Sequence, residues 1–86
     1  MEHSSESFKE KLESVHTFPT LYVYKFIVQK EQLESVKALF PKHDIKMNPS
    51  RNGKYVSTTI QVMVASSDEI IETYTKAKEI EGIISL

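Results

Sequence analysis

The chain of 86 residues contains no cysteine, which excludes disulfides, thiolate chemistry and cysteine-based metal sites. Charge of one sign is not in excess, because the formal net charge is −1, so the bulk basic surface of a typical nucleic-acid-binding domain is missing. No apolar run approaches the roughly 20 residues that a transmembrane helix needs, and no signal-peptide core is present near the N-terminus. These absences favour a cytoplasmic protein without a membrane partner.

Candidate catalytic and metal-binding groups are also scarce. His3, His16 and His43 are too scattered for ligand spacing, and ordinary surface histidines explain them. An acylphosphatase-like enzyme would hold an anion on backbone amides after the first strand, but the segment Val28–Glu31 contains neither glycine nor arginine. We therefore expect no enzymatic activity, no metal and no cofactor.

The strongest signal that is present is a β-hairpin at Asn52-Gly53. This dipeptide predicts a two-residue type I′ turn, which requires positive φ at both residues. Arg51 would then lie opposite Lys54, and this pair fixes the register of both strands.

The predicted register sorts the hairpin into two faces, since directly opposed residues share a face. The apolar face contains Ile45, Met47, Pro49, Val56, Thr58, Ile60, Val62 and Val64. The other face contains Lys46, Asn48, Ser50, Tyr55, Ser57, Thr59, Gln61 and Met63. Pro49 cannot donate to a strand ladder, so its strand is predicted to lie at an edge of the sheet.

Residues 1–17 are predicted to form an N-terminal tail and a short amphipathic helix. Met1–Ser4 should be frayed, and the helix should begin with a capping box from Ser7 to Glu10. Its apolar side chains are Phe8, Leu12 and Val15. Three alternatives remain for this segment: an accessory helix that covers part of the sheet, a partner-binding arm, or a disordered tail.

Residues 18–86 are predicted to form one ferredoxin-like domain. The pattern indicates a strand over Leu21–Val28, a helix over Glu31–Phe40, the hairpin, a helix capped by Ser66 and Glu69 and ended by Gly82, and a strand over Ile83–Leu86. Right-handed crossovers in this βαββαβ order give an α+β sandwich with antiparallel strand order 4-1-3-2. Its first strand should turn Tyr22, Tyr24 and Phe26 to the core, because Lys25 on the opposite face is rarely buried.

The uncovered face of such a sheet is the candidate functional surface. Leu21 and Val23 should meet Met63 there in an apolar corner, which either the N-terminal helix covers or a partner contacts. An RNA-recognition module would need further aromatic side chains along the central strands, but Ser57 and Thr59 follow Tyr55.

Several segments resemble the YbeD-like family of small bacterial proteins over Phe18–Leu86. They are Phe18-Pro19-Thr20, Tyr24-Lys25, the hairpin from Pro49 to Ser57, which is the most specific, and Ile84-Ser85-Leu86. The resemblance implies a ferredoxin-like domain similar to ACT regulatory domains, with no established activity or catalytic residues. It also suggests a link to lipoate metabolism, because genes of relatives often lie near those for lipoate attachment. Family members often have glycine just after the first strand, where this chain has Val28-Gln29.

We therefore expect a small non-enzymatic regulatory or adaptor domain that binds a protein or a small molecule through the open sheet face. The predicted binding residues are Lys25, Lys46, Tyr55, Ser57 and Thr59. Domains of the ACT type also pair with copies of themselves, so a homodimer is a further expectation. The alternative function is weak RNA binding by the same face.

Overall fold

The computed structural model describes residues 4–86, with side chains described from Ser7 onward. Of the segment predicted to be frayed, Met1–His3 lie outside the described residues, and Ser4 begins the first helix. The elements are α1 (Ser4–Val15), β1 (Thr20–Gln29), a short 3-10 helix (Lys30–Gln32), α2 (Leu33–Leu39), β2 (Lys46–Pro49), β3 (Tyr55–Val64), α3 (Ser67–Ala77) and β4 (Ile84–Ser85).

The strands form a four-stranded antiparallel sheet in the order β2-β3-β1-β4. This order confirms the predicted 4-1-3-2 topology, and the protein is a ferredoxin-like α+β sandwich with α1 as an additional helix. β2 lies at an edge of the sheet, as Pro49 requires, because proline has no N–H to donate to a second neighbour. β3 pairs with β1 along the full length of both strands.

The hairpin has the predicted register but a different turn. Pro49 pairs with Val56 as expected. Gly53 has a φ of 74°, whereas Asn52 does not have a positive φ, so the type I′ turn is wrong. The Gly53 N–H donates to the Ser50 carbonyl oxygen at 2.9 Å. Arg51 and Asn52 are therefore the central residues of a type I turn.

Side chains explain why this turn forms. Asn52 Oδ1 accepts a hydrogen bond from the Lys54 N–H and another from Ser50 Oγ, both at 3.0 Å. Ser50 Oγ in turn accepts the Tyr55 N–H at 3.1 Å. The observed loop spans residues 51–54, and the predicted loop spanned residues 52–53. Both are centred between Asn52 and Gly53, so they produce the same strand register.

The predicted sorting of the two sheet faces is confirmed. Tyr24, Phe26 and Ile60 are fully buried between the sheet and the helices, whereas Lys25 is exposed. Thr58 is also buried, and its hydroxyl donates to the Phe26 carbonyl oxygen at 3.0 Å. This bond satisfies the one polar group that the hairpin places in the core.

α2 and α3 cover the core face of the sheet. α2 buries Val36, and Phe40 is buried just beyond its last residue. α3 buries Ile70 and Ala77, and the Glu69 carboxylate accepts the Ala65 N–H at 3.2 Å ahead of the helix. α3 ends at Ala77, earlier than predicted.

Gly82 has the predicted positive φ, but at a different place in the structure. Its φ of 75° occurs in a turn closed by a hydrogen bond of 3.3 Å from the Ile83 N–H to the Ile80 carbonyl oxygen. A positive φ at the third residue is typical of a type II turn. Gly82 therefore directs the chain into β4 rather than ending α3.

α1 belongs to the helix layer. It begins at Ser4, one turn before the predicted capping box at Ser7. Of the apolar side chains at helical spacing, Leu12 is buried in the core, whereas Val15 is 74% exposed. The helix ends at Val15, and a cis peptide bond between Phe18 and Pro19 precedes β1.

Candidate functional site

The open face of the sheet points away from all three helices. It consists of the outward side chains Leu21, Val23, Lys25, Ile27 and Gln29 of β1, Tyr55, Ser57, Thr59, Gln61 and Met63 of β3, Lys46 and Asn48 of β2, and Ile84 of β4. All five predicted binding residues therefore lie on one surface.

Three of these residues form a row across three strands. Thr59 pairs with Lys25 on one side and with Lys46 on the other. Because neighbouring strands are about 4.8 Å apart, the Cα atoms of the two lysines are separated by about 10 Å. This lysine row brings one lysine to each side of a threonine, an arrangement suited to an acidic group of a partner.

The other two predicted residues lie further along β3, toward the hairpin. Ser57 is the next open-face residue of β3 after Thr59 in the direction of the hairpin turn. It is half-buried and pairs with Asn48 on β2 and Ile27 on β1. Tyr55 is 36% exposed at the hairpin end, and Lys54 Nζ lies 5.9 Å from its ring centroid. Four residues along a strand span about 13 Å, so Tyr55 does not contact Thr59.

The predicted apolar corner is present and exposed. Leu21 lies directly opposite Met63, and the exposed fractions are 52% for Leu21, 65% for Met63 and 41% for Val23. Ile84 on β4 is 50% exposed on the same face, but it lies opposite Ile27, six residues along β1 from Leu21 and therefore about 20 Å from the corner. Sequence reasoning missed Ile84, although pairing β4 with β1 would have assigned it to this face.

α1 does not cover this corner. Phe8 packs edge to face on Tyr74 of α3, with ring centroids 5.7 Å apart. The Ser67 hydroxyl donates to a Glu13 carboxylate oxygen at 2.8 Å. Lys9 and Asp68 form an ion pair at 3.1 Å. These contacts hold α1 against α3, on the opposite side of the sheet, so the alternative in which α1 shields the apolar corner is wrong.

The open face also contains a cavity of about 370 Å³ beside the lysine row. Asp44, Lys46, Thr59 and Gln61 line it. Two of these lining residues, Lys46 and Thr59, were predicted to bind a partner, whereas Asp44 and Gln61 were not. The carboxylate of Asp44 gives this end of the lysine row a mixed charge.

A second cavity of about 470 Å³ lies on the helix side of the sheet, between α1, α3 and the end of β4. Its wall includes Tyr22 and Tyr74, whose hydroxyl oxygens are 3.1 Å apart. Burial raises the pKa of Tyr74 far above the usual phenol range, and the Tyr22 hydroxyl adds to the shift. Sequence reasoning assigned Tyr22 to the core and did not predict this cavity, because the cavity depends on where α1 docks.

Two further properties concern metals and membranes. Within residues 4–86, no group of three histidine, aspartate or glutamate side chains is arranged to hold a metal ion. His16 instead packs edge-on against Tyr22, with ring centroids 5.6 Å apart. Over the same residues, every helix is too short or too polar to cross a membrane.

Comparisons with known proteins assign the chain to a family. Neither the curated proteins nor the solved structures include a match. A family model described as a protein of unknown function, DUF493, matches residues 13–86. The match includes all four strands, α2 and α3, and most of α1 lies before it. The chain therefore belongs to the DUF493 family, the family of the YbeD-like proteins that its hairpin resembles.

Proposed function

We propose that this protein is a non-enzymatic regulatory or adaptor domain, similar in type to ACT domains, whose open face binds a protein partner. The observation that carries the proposal is the exposure of Leu21, Val23 and Met63 in one corner of a face that no described element covers. Contiguous apolar surface of this kind is typical of interaction sites.

The shape of the open face favours a protein over a small molecule. From Leu21 to Gln29, β1 extends over about 26 Å at 3.3 Å per residue. The apolar corner, the lysine row and Tyr55 are spread along this length rather than gathered around one pocket. A ligand that contacted all three would need a surface of protein size.

The lysine row supports a partner with an acidic group. Lys25 and Lys46 are both exposed, and Thr59 between them contributes a hydroxyl. Charges of this kind mainly set the association rate and its salt dependence, while apolar contacts at the corner slow dissociation. We therefore assign recognition to the lysine row and most of the affinity to the apolar corner.

Tyr55 is the proposed aromatic anchor at the far end of the face. A rigid ring provides a large contact area, and tyrosine is enriched among residues that dominate binding energy. The competing explanation is that Tyr55 only shields the hairpin end, where Lys54 already lies over its ring. Tyr55 is also the one aromatic residue among those that define the open face, so the face offers little stacking for RNA bases.

Affinity purification from the native host tests the proposal. We expect the wild-type protein to retain a discrete protein partner and Met63→Ala to lose it with an unchanged melting temperature. Val15→Ala is the matched control, since Val15 is a similarly exposed apolar residue on α1. Tyr55→Ala should weaken retention if Tyr55 is an anchor and leave it unchanged if the ring only shields the hairpin.

Two outcomes would contradict the proposed function. Retention of the partner by both Met63→Ala and Tyr55→Ala would show that the open face is not the binding surface. Salt-sensitive retention of RNA instead of a protein would favour the alternative function. The identity of the partner also decides whether the link to lipoate metabolism, which the family resemblance suggests, holds for this protein.

A further inference from the structure

The hairpin turn contains a pair of residues that can react with each other. When glycine follows asparagine, the glycine nitrogen can attack the asparagine side chain, because glycine has no Cβ to obstruct the approach. Asn52-Gly53 is the only such pair in the chain, and Asn52 is exposed to the water that the reaction needs. The only other asparagine, Asn48, precedes Pro49, whose nitrogen carries no hydrogen and cannot form the ring.

The reaction is deamidation through a cyclic imide. The Gly53 nitrogen loses its proton and bonds to Asn52 Cγ, while the Cγ–Nδ2 bond breaks and Nδ2 leaves with a proton as ammonia. Water then opens the imide. Breaking the bond between Cγ and the ring nitrogen gives aspartate. Breaking the bond between the backbone carbonyl carbon and that nitrogen gives isoaspartate, in which the main chain passes through the former side chain.

In the folded hairpin, both reacting groups are held by hydrogen bonds. The Gly53 N–H, which must lose its proton, donates to the Ser50 carbonyl oxygen at 2.9 Å. Asn52 Oδ1 accepts the Lys54 N–H and the Ser50 hydroxyl, both at 3.0 Å. Ring closure deprotonates the Gly53 nitrogen and brings Cγ onto it, so the turn must open before the ring can form.

Ser50 is the residue that connects these bonds. Its hydroxyl donates to Asn52 Oδ1 and also accepts the Tyr55 N–H at 3.1 Å. Its own N–H donates to the Tyr55 carbonyl oxygen at 2.8 Å. Removing the hydroxyl therefore takes away two bonds of the turn and leaves the backbone bonds of Ser50 in place.

We propose that Asn52 is a site of spontaneous deamidation, and that the Ser50 hydroxyl controls the rate by holding the turn closed. Exposed hydrogen bonds at loop tips open locally much more often than those of a core. The rate of modification is then the rate in an open loop multiplied by the fraction of time that the turn is open.

Deamidation changes the charge of the hairpin end. It replaces a neutral amide by a carboxylate beside Arg51 and two residues from Lys54. Aspartate retains an oxygen that can accept the same two hydrogen bonds, whereas isoaspartate adds a methylene group to the main chain inside the turn. The proposal is independent of the proposed function, because the reaction requires no partner.

Peptide mapping by mass spectrometry measures the reaction in the full chain at neutral pH. The reference is a blocked synthetic peptide with the sequence of residues 48–57, which has no stable turn. We expect Asn52 to deamidate at least about tenfold more slowly in the full chain than in the peptide, because the folded turn is mostly closed. Asn48 should remain unmodified in both.

Ser50→Ala tests the controlling residue. It should raise the rate at Asn52 by about 5- to 30-fold, the factor that corresponds to the loss of one or two hydrogen bonds. Ser14→Ala is the matched control, since the Ser14 hydroxyl bonds only to the Lys11 carbonyl oxygen on α1, and it should leave the rate unchanged.

Two further measurements separate local opening from other causes. Ile60→Ala destabilises the core without touching the turn, so it should leave the rate at Asn52 unchanged. In urea that unfolds the chain, the wild type and Ser50→Ala should deamidate at equal rates, because the hydroxyl then no longer holds a turn.

Four results would overturn the proposal. Equal rates in the full chain and the peptide would show that the turn exerts no control. An unchanged or lower rate in Ser50→Ala, or an equal increase in Ile60→Ala, would remove the role of the Ser50 hydroxyl. Modification of Asn48 as fast as Asn52 would exclude the imide route. No modification of Asn52 in either the chain or the peptide would exclude the site.

Discussion

The rings of Phe8 and Tyr74 meet edge to face with their centroids 5.7 Å apart. This contact fixes α1 against α3, and the open face of the sheet is left uncovered as a consequence. We expect Phe8→Ala to lower the free energy of unfolding by about 1–3 kcal/mol, less than a fully buried phenylalanine would, because Phe8 is only half-buried. Chemical denaturation measures this difference.

Val15→Ala is the control for Phe8→Ala. Val15 lies on the same helix but is largely exposed, so its change should remain within about 0.5 kcal/mol. Equal losses for the two variants would mean that the contact with Tyr74 does not hold α1 in place.

The hairpin turn provides a second prediction. Gly53→Val should destabilise the protein by at least about 1–2 kcal/mol, because a β-branched residue tolerates positive φ poorly. Arg51→Pro should be neutral or stabilising by up to about 1 kcal/mol, since proline favours the second position of a type I turn. Thermal melts of both variants test the turn. A large loss for Arg51→Pro would contradict the type I geometry.

The two faces of β3 provide a third prediction. Ile60→Ala should cost about 2–5 kcal/mol, as expected for a large-to-small change at a fully buried site. Thr59→Ala, next to it but on the open face, should stay within about 0.5 kcal/mol. Similar costs for both would show that the open face is buried in the protein as it exists in solution.

The β4 side of β1 provides a fourth prediction, because among the described residues no strand lies beside it over Thr20–Tyr24. The amides of Leu21 and Val23 should exchange rapidly with solvent, whereas those of Tyr22 and Tyr24 should exchange slowly because they point toward β3. Residue-resolved hydrogen exchange distinguishes the two pairs. Uniform protection from Leu21 to Tyr24 would mean that another chain or segment already occupies the edge.

The hairpin shows how much of the fold the sequence could predict. The register follows from the alternation of apolar residues and from the position of Asn52-Gly53. Neither of these depends on the turn type. The turn type itself depends on two hydrogen bonds that Asn52 Oδ1 accepts, one from the Ser50 hydroxyl and one from the Lys54 N–H. The preference of the Asn-Gly dipeptide for a type I′ turn takes no account of these side-chain hydrogen bonds.

The position of α1 could not be predicted in the same way. Helical periodicity indicates which side chains are apolar but does not say which neighbour they contact. Val15 has the right spacing and is nevertheless exposed, because the helix ends there and the core contact is made by Leu12. The helix-side cavity was missed for the same reason, since it depends on where α1 docks.

The sequence predicted which residues share the open face but not how they are arranged on it. Alternation assigned Lys25, Lys46, Tyr55, Ser57 and Thr59 to the open face, and the strand pairing places them there. The row formed by Lys25, Thr59 and Lys46 required the pairing of β1 with β3, which the hairpin alone does not define. Whether these residues bind a partner is a prediction.

Site-specific photocrosslinking in the native host tests the central claim most directly. A p-benzoylphenylalanine residue is introduced in place of Thr59 on the open face, or in place of Glu72, which is exposed on α3. We expect a discrete protein adduct from position 59 and none of the same mass from position 72. No adduct from position 59, or the same adducts from both positions, would contradict binding through the open face.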